Sequence, residues 1–279
     1  LFTQGMVTHK TFKNKSGEWL MPEEIHFDKN FWQDSSGLEV TVGKTEKMSK
    51  SKKNVINPQA IIDLYGADTA RWFMLSDSPP DRDLEWTDTG ILGAYKFINK
   101  VWDLTNNILQ NSKEESFLEN ANLLRKLNQT IRSVTKNIEG FHYNKAIANI
   151  YELTNYLQKE ETIKKTGKKI LAKAMSDLAL ILQPFVPHLS EEIWKTLGNK
   201  GLAVSQGWPK YSQEKEATTF KIAVQINGKT RDIVEIKKNI SEEDLIKVVA
   251  SKEKIKKYLG LSTIKKTIYI PTKVLNLVI

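Results

Sequence analysis

Apolar residues recur every three or four positions through most of the middle of the chain, and this spacing predicts amphipathic helices. The first helix runs to about residue 111 from Thr87 or Asp88, either of which can cap it. Three more helices follow it. Pro184 and Pro187 end the fourth helix, and Pro187 also begins a fifth. Short connections between such helices predict an antiparallel helical bundle. The apolar positions of the four stripes are Ile91, Leu92, Tyr95, Ile98, Trp102 and Leu109; Leu123, Leu124, Leu127, Ile131, Val134 and Ile138; Ala146, Ile147, Ile150, Leu153 and Leu157; and Ile170, Leu171, Ala174, Leu178, Ile181 and Leu182.

Ahead of the bundle, short extended runs alternate with loops. Residues 1–12 read as a strand followed by a loop. The alternation of Leu38, Val40 and Val42 predicts a second strand. Proline disfavours helix at its own position and at the one before, so Pro79 with its neighbouring proline predicts a module boundary near residue 80.

Two helices are predicted between these strands and that boundary. Pro58 is placed to open the first, and Gly66 to end it. Asp68 is an acid at the start of the second helix. Arg71 lies three positions later on the same helical face, so we expect it to pair with Asp68.

The last sixty residues change period from helical spacing to alternation. Residues 205–219 are polar and contain glycine and proline, which predicts a linker. Asn227 followed by Gly228 predicts a tight hairpin between two alternating strands. Ser241, with an acid three positions on, predicts a capped helix. Runs at 265–270 and 274–279 predict final strands, so 220–279 is expected to be a small α+β module.

The charge of the chain favours a polyanionic partner such as RNA. The net charge is +9, and 220–279 holds 13 Lys and Arg against 6 Asp and Glu. A basic module on a linker suits phosphate contacts, although a surface that merely aids solubility would have the same composition. The candidate RNA contacts are Arg231, Lys254, Lys256, Lys257, Lys265 and Lys266.

Cysteine is absent, which excludes disulfides and is compatible with the cytoplasm, where we expect the protein to lie. No apolar run is long enough to predict a membrane span. His188 has no nearby catalytic partner in the sequence, so we expect a packed or capping side chain. The tryptophans at positions 72, 86, 102 and 194 are expected to pack in the core rather than to stack on bases.

One basic stretch carries the candidate chemistry. Within GKTEKMSKSKKNVINP, lysines stand at 47, 50, 52 and 53 and hydroxyls at 49 and 51, with no acid between them. Such a stretch suits a mobile loop that faces a polyphosphate, because flexible ammonium groups can meet developing negative charge. The alternative is a solvated basic loop without function.

The string KMSKS is identical to the signature loop of class I aminoacyl-tRNA synthetases. The following segment, from VINPQAIIDLYGADTARWF to SPPDRDLEW and GAYKFINKVW, resembles leucyl-tRNA synthetases. The runs PFVPHLSEEIW and QINGKTRD resemble the bundle and the C-terminal domain of the same enzymes. One departure is Lys53, which stands where the family often has glycine. Isoleucyl, valyl and methionyl enzymes are the alternatives, together with a non-catalytic tRNA-binding protein derived from a synthetase.

The resemblance implies a multidomain α/β plus α architecture. Residues 1–80 are then the end of a Rossmann-like nucleotide-binding domain, against whose sheet the helix at 69–75 packs, and 81–204 an anticodon-binding helical bundle. A linker follows at 205–219, and 220–279 is a small α+β tRNA-binding domain. The stretch at about 10–43 is either a leucine-specific insertion or a surface hairpin without function. The chain is expected to be the C-terminal portion of a longer enzyme, whose HIGH-type signature and editing domain lie outside it.

The resemblance also implies a reaction and its site. Leucyl-tRNA synthetases activate leucine with ATP and pass it to tRNA(Leu), so ATP, leucine, tRNA(Leu) and the N-terminal part of the enzyme are the expected partners. Magnesium is implied by ATP, but the sequence offers no identifiable ligand for it. This chain alone is expected to be inactive. In the loop, Lys50 is expected to be the principal catalytic phosphate contact with Lys47 assisting, and the ATP-binding set is Lys47, Met48, Ser49, Lys50 and Ser51.

Overall fold

The computed structural model describes residues 3–28, 30–111, 120–212, 219–237, 240–260, 263–270 and 273–279. The chain divides into two compact units, Leu1–Tyr211 and Ser212–Ile279. The division falls within the predicted linker at 205–219, of which 213–218 lie outside the described residues. The other predicted boundaries, at 80 and 204, stay predictions.

The strands of the first unit form a small mixed sheet and a separate hairpin. Strand β1 is antiparallel to β2 and β5 and parallel to β6, while β3 and β4 pair with each other. Their bounds are β1 Val7–Lys13, β2 Trp19–Leu20, β3 Ile25–Asp28, β4 Phe31–Asp34, β5 Thr41–Lys47 and β6 Leu84–Glu85.

The strand predicted from the alternation at 38–42 begins later than expected, at Thr41. The cause is a turn, because the Asp34 carboxylate accepts the backbone N–H of Leu38 at 3.0 Å. Of the three alternating residues, Val40 is buried, whereas Leu38, beside the turn, and Val42 are exposed. Local polar bonding therefore overrides the alternation.

Eight helices are described in the first unit, and the predicted positions of the main ones are confirmed. Asn57 caps the first, and Gly66, with a φ of 85°, ends it. A short helix at 160–164 was not predicted. The bounds are α1 Pro58–Tyr65, α2 Ala67–Ser76, α3 Asp88–Asn111, α4 Ala121–Glu139, α5 Tyr143–Leu157, α6 Glu160–Lys164, α7 Lys168–Leu182 and α8 Pro187–Thr196.

The apolar stripe predicted for α3 is wrong over much of its length. Leu92 and Tyr95 are exposed, and the buried face is rotated by one residue, about 100°, toward smaller residues. Gly90 explains this choice, because a Cβ there would lie 2.4 Å from the ring of Phe73 on α2. Because α2 approaches α3 so closely at Gly90, the side of α3 that carries Gly90 is the side that is buried. The buried apolar positions of α3 are Ile91, Ala94, Phe97, Val101, Leu104 and Ile108.

Trp72 of α2 packs into the helical core. It is fully buried, stacks on Phe97 at a ring-centroid distance of 4.5 Å, and donates its indole N–H to the Tyr151 hydroxyl at 3.1 Å. The expectation that this face packs on a sheet is therefore wrong for Trp72. Core packing is confirmed for Trp72 and Trp86, whereas the tryptophans at 102 and 194 are only partly buried.

A buried carboxylate joins α2 to α8. Asp68 accepts the backbone N–H of Leu189 at 2.8 Å and pairs with Arg71 at 3.1 Å, as predicted for that arginine. His188 Nδ1 lies 3.6 Å from the same carboxylate. The His188 side chain is 72% exposed, so of the two roles expected for it, packed or capping, the packed one is wrong. An acid at a helix N-terminus stabilises α8 through its unpaired N–H groups.

The second unit is a four-stranded sheet with two helices. The strand order is β8-β7-β10-β9, with β7 and β10 parallel. Asn227 and Gly228 have φ values of 49° and 78°, which confirms the predicted tight hairpin. Ser241 Oγ accepts the Asp244 N–H at 3.1 Å, so the predicted cap is confirmed too. The bounds are β7 Thr219–Ile226, β8 Lys229–Lys237, α9 Glu242–Ala250, α10 Glu253–Leu259, β9 Lys266–Ile270 and β10 Val274–Val278.

The core of this unit is formed by one face of the sheet and the two helices, including α10, which was not predicted. Its buried residues are Ile222, Val224, Ile226, Val234, Ile236, Leu245, Val249, Ile255, Leu275 and Leu277. Across both units, none of the helices in the described ranges is both long enough and apolar enough to span a bilayer.

Candidate functional site

The signature stretch begins as a strand and continues as a tight turn. Lys47 is the last residue of β5 and pairs with Thr8 of β1. The next N–H, of Met48, donates to the Val7 carbonyl at 3.2 Å. Residues Lys50–Lys52 then form a single 3-10 turn. The prediction that the whole stretch is a loop is therefore wrong for Lys47, which the β1–β5 pairing holds.

The turn closes at Lys53, whose N–H donates to the Lys50 carbonyl at 3.2 Å. Lys53 has a φ of 52°, in the left-handed region. This conformation costs a residue with a side chain about 1 kcal/mol, and glycine adopts it without that cost. The backbone thus gives a reason for the glycine that the resemblance predicts at this position.

The lysines of the stretch differ in their surroundings. Lys52 pairs with the carboxylate of Glu46. Lys47 and Lys50 are exposed, and neither forms an ion pair with any residue that the structure describes. Two ammonium groups are therefore available to an anion, with the hydroxyls of Ser49 and Ser51 3.3 Å apart beside them.

Asn54 is the residue of this site that sequence reasoning missed. It is fully buried, and its amide oxygen accepts the Ser49 N–H at 2.9 Å. Its amide nitrogen donates toward the carbonyls of His9, Glu46 and Lys47, at 3.1, 3.3 and 3.4 Å. In the sequence, an asparagine after a run of lysines looks like a solvated loop residue. The one signal of its role is that it directly follows Lys53, the residue with a left-handed backbone.

Apolar contacts support the other side of the stretch. Met48 is partly buried against the helical core. Together with Val7, Ile61, Met74 and Trp86 it lines a cavity of about 260 Å³. The lysines on either side of Met48 therefore project from a segment whose middle residue is packed.

His9, on the strand beside the loop, is half-buried. Its Nδ1 atom is buried and has no hydrogen-bond partner among the residues that the structure describes. Burial lowers the pKa of His9 below its ordinary value of 6.5, and the negative charges of Asp88 and Glu85 oppose the shift in part. The neutral imidazole is thus the favoured form near the loop.

The candidate RNA contacts of the second unit do not form one cluster. Lys254, which lies on α10 with Lys256 and Lys257, is 3.7 Å from Asp232 of β8. Lys265 and Lys266 lie at β9, the opposite edge strand of the sheet. All five of these lysines are exposed.

Arg231, also on β8, differs from the lysines because its side chain takes part in packing. Its guanidinium carbon lies 4.3 Å from the centre of the Tyr258 ring. Its Nε atom is buried without a hydrogen-bond partner in the described part of the chain. A stacked guanidinium supports the unit whether or not it also meets RNA.

The described ranges contain no assembled group of metal ligands. Nowhere in the described ranges do three or more His, Asp or Glu side chains come together as metal ligands. Near the signature stretch, Glu46 is paired with Lys52 and Glu85 accepts a hydrogen bond from Thr45 at 2.9 Å. The acids closest to the loop are therefore engaged by protein groups.

Comparison with known proteins identifies the relatives of this chain. Residues 120–249 match the anticodon-binding domain of tRNA ligase, and residues 35–87 match tRNA synthetases class I (I, L, M and V). The leucine-tRNA ligase of Zymomonas mobilis is 43% identical over 283 residues, which cover all of this chain and 32% of that protein. The chain is homologous to leucine-tRNA ligase.

Other leucine-tRNA ligases agree with this assignment. That of Orientia tsutsugamushi is 40% identical over the whole chain and 33% of its own length. The crystal structure of the ternary complex of Agrobacterium radiobacter K84 agnB2 LeuRS-tRNA-LeuAMS superposes with a TM-score of 0.63 and 30% identity. The superposition covers 83% of this chain and 30% of the chain in that crystal structure. The chain thus spans about a third of the length of these relatives, and the leucyl branch of the predicted resemblance is confirmed.

Proposed function

We propose that this chain is the C-terminal part of a leucine-tRNA ligase that activates leucine with ATP and charges tRNA(Leu). In this proposal the sheet of the first unit ends a Rossmann-like domain, the helices beyond it form an antiparallel bundle that holds tRNA, and the second unit adds RNA contacts. The remaining two thirds of the relatives' length would supply the leucine pocket and the rest of the nucleotide fold. The enzyme would work in the cytoplasm.

The observation that carries the proposal is the pair of exposed lysines, Lys47 and Lys50, on a base fixed by Asn54. In the activation step a carboxylate oxygen of leucine attacks the α-phosphorus of ATP, and the bond to the bridging oxygen breaks. Negative charge grows on the departing pyrophosphate. The ammonium groups of Lys50 and Lys47 would stabilise that charge, and no side-chain nucleophile is needed.

The other residues of the stretch would hold and shape the loop. The side chain of Met48, packed against the helical core, would anchor it, and the hydroxyls of Ser49 and Ser51, 3.3 Å apart, would donate to phosphate oxygens. Magnesium accompanies ATP in the proposed reaction. The described residues show no group of ligands through which the protein would hold the metal.

The test is Lys50→Ala in the complete ligase that contains this chain. We expect the rate of leucine-dependent exchange between ATP and pyrophosphate to fall about 100-fold or more, because a donor that acts on developing charge is lost. The affinity for tRNA(Leu) should stay within about twofold, since Lys50 lies in the proposed ATP loop. Equal losses of rate and of tRNA affinity would contradict the assigned role.

Lys52→Ala is the matched control. Lys52 is in the same turn, but its ammonium is already paired with Glu46. We expect it to cost less than about threefold in rate. Exchange activity in the complete protein would also exclude the non-catalytic alternative, while residues 1–279 alone should form no leucyl-adenylate.

A further inference from the structure

Asn54 joins three segments of chain through one buried amide. Its nitrogen reaches the His9 carbonyl on β1 and the carbonyls of Glu46 and Lys47 at the end of β5. Its oxygen accepts the N–H of Ser49, which caps the 3-10 turn. No other side chain of the stretch at 47–54 is fully buried, within the residues that the structure describes.

We propose that Asn54 is a positioning residue for leucine activation, which acts through the lysines of the signature loop. This inference rests on the proposed function. Lys47 is fixed directly, because its carbonyl faces the Asn54 amide at 3.4 Å. Lys50 is fixed through Ser49, whose N–H is held by the same side chain at 2.9 Å.

The turn between these two lysines is closed on itself. Ser49 Oγ accepts the Lys52 N–H at 3.4 Å, and the Lys50 carbonyl accepts the Lys53 N–H at 3.2 Å. Asn54 completes this closed segment by bonding back to Ser49. Residues 49–54 therefore form one hydrogen-bonded ring, which is joined to the sheet by the hydrogen bonds of the buried Asn54 amide and by the partly exposed pair of Lys52 with Glu46.

An asparagine suits this place for a chemical reason. The site needs a donor for backbone carbonyls and an acceptor for a backbone N–H, and a carboxamide presents both on one short planar group without depending on protonation. Burial makes the requirement strict, because a backbone group that loses its partner there is left unpaired. Stabilisation of charge in a transition state depends on donors held in place beforehand, so a loosened ring should cost rate.

A double-mutant cycle in the complete ligase tests the inference. Asn54→Ala is expected to lower the rate of ATP and pyrophosphate exchange about 10- to 100-fold, with tRNA affinity changed less than about twofold. In a background that lacks both lysines, Lys47→Ala with Lys50→Ala, the same change should cost less than about threefold, because both groups that Asn54 positions are already gone. Full multiplication of the two losses would overturn the inference, since independent sites behave in that way.

Asn57→Asp is the matched control variant. Asn57 lies three residues away and only accepts a hydrogen bond, from the Gln59 N–H at 3.0 Å. Aspartate can accept the same bond, so the exchange rate should stay within about twofold. A loss as large as that of Asn54→Ala would overturn the specific role of Asn54.

Two further outcomes separate failure of folding from failure of the idea. If Asn54→Ala lowers tRNA affinity as much as rate, Asn54 is structural and the inference is wrong. If that variant cannot be purified folded, Asn54→Ser replaces it, because its hydroxyl keeps one donor and one acceptor, and the same cycle decides. No effect of Lys50→Ala alone would instead contradict the proposed function, with Asn54 then judged against Lys47→Ala.

Discussion

The signature loop and the second unit are both rich in lysine, but the lysines are held and spaced differently in the two regions. In the loop, two exposed ammonium groups emerge from a segment that a buried amide ties to the sheet. In the second unit, exposed lysines lie on α10 and at the edge strand β9. A fixed pair suits a compact polyphosphate whose charge changes during reaction. A dispersed set suits an extended phosphate backbone, where each contact adds a little affinity. Arrangement, rather than charge alone, separates the two proposed roles.

Removal of the second unit should have the largest effect on RNA binding. A ligase that is truncated after Ser212 but otherwise complete is expected to bind tRNA(Leu) about 10- to 100-fold more weakly at low salt than the intact ligase, because several phosphate contacts are lost. The slope of log affinity against log salt should flatten by about two to four. Binding measured at several salt concentrations checks both values.

Leucine activation is the internal control for this deletion. It should survive, because the proposed ATP loop lies wholly in the first unit. An unchanged salt slope would favour the alternative in which the basic surface only aids solubility.

Lys47→Ala sharpens the comparison within the loop. Lys47 is held by the pairing of β1 with β5 and lies just before the turn Lys50–Lys52. As the assisting contact it should lower the exchange rate about tenfold, which is less than Lys50→Ala. Rate constants at saturating ATP and leucine measure this. A loss equal to that of Lys52→Ala would show that Lys47 has no part in the reaction.

The sequence predicted the helical elements well, because most have one apolar stripe with clear ends. Helix α3 is the instructive failure. Apolar residues such as Leu92 and Tyr95 lie on one side and Phe97 and Val101 on another, so periodicity allowed two faces. Contact between Gly90 and Phe73 decides between them, and contacts between helices cannot be read from one helix.

The candidate site was predicted in its chemistry but not in its support. The lysines are recognisable because KMSKS is a contiguous string. Asn54 is not, since one of its partners, the carbonyl of His9 on β1, lies 45 residues earlier and is brought to it only by the fold. Burial of a polar side chain depends on partners distant in sequence, which is why such residues escape reading by pattern.

Arg231 and Lys256 test whether all cations of the second unit serve the same role. Arg231 stacks on Tyr258, so Arg231→Ala should lower the stability of this unit by about 1 kcal/mol. Lys256 is exposed on α10, and Lys256→Ala should leave stability unchanged while it weakens tRNA binding about twofold. Denaturant unfolding and tRNA titration separate the two effects. A stable Arg231→Ala variant with much weaker tRNA binding would reverse this division of roles.

The smallest expected effect concerns pH at the strand beside the loop. The pKa of His9 is lowered below 6.5, so the unfolded chain binds this proton more readily than the folded one. The contribution of the neutral imidazole to the free energy of unfolding is therefore fully present above pH 6.5, the ordinary pKa of histidine. It is lost as the pH falls from 6.5 toward the pKa of His9 in the folded protein. The melting temperature of the wild type should drop more between about pH 7.5 and about pH 5.5 than that of His9→Gln, which cannot titrate in this range. Because the His9 carbonyl also holds Asn54, the exchange rate at low pH is a second readout of the same protonation. Parallel pH curves for the two proteins would mean that the folded and the unfolded chain bind this proton equally, so that folding does not lower the pKa of His9.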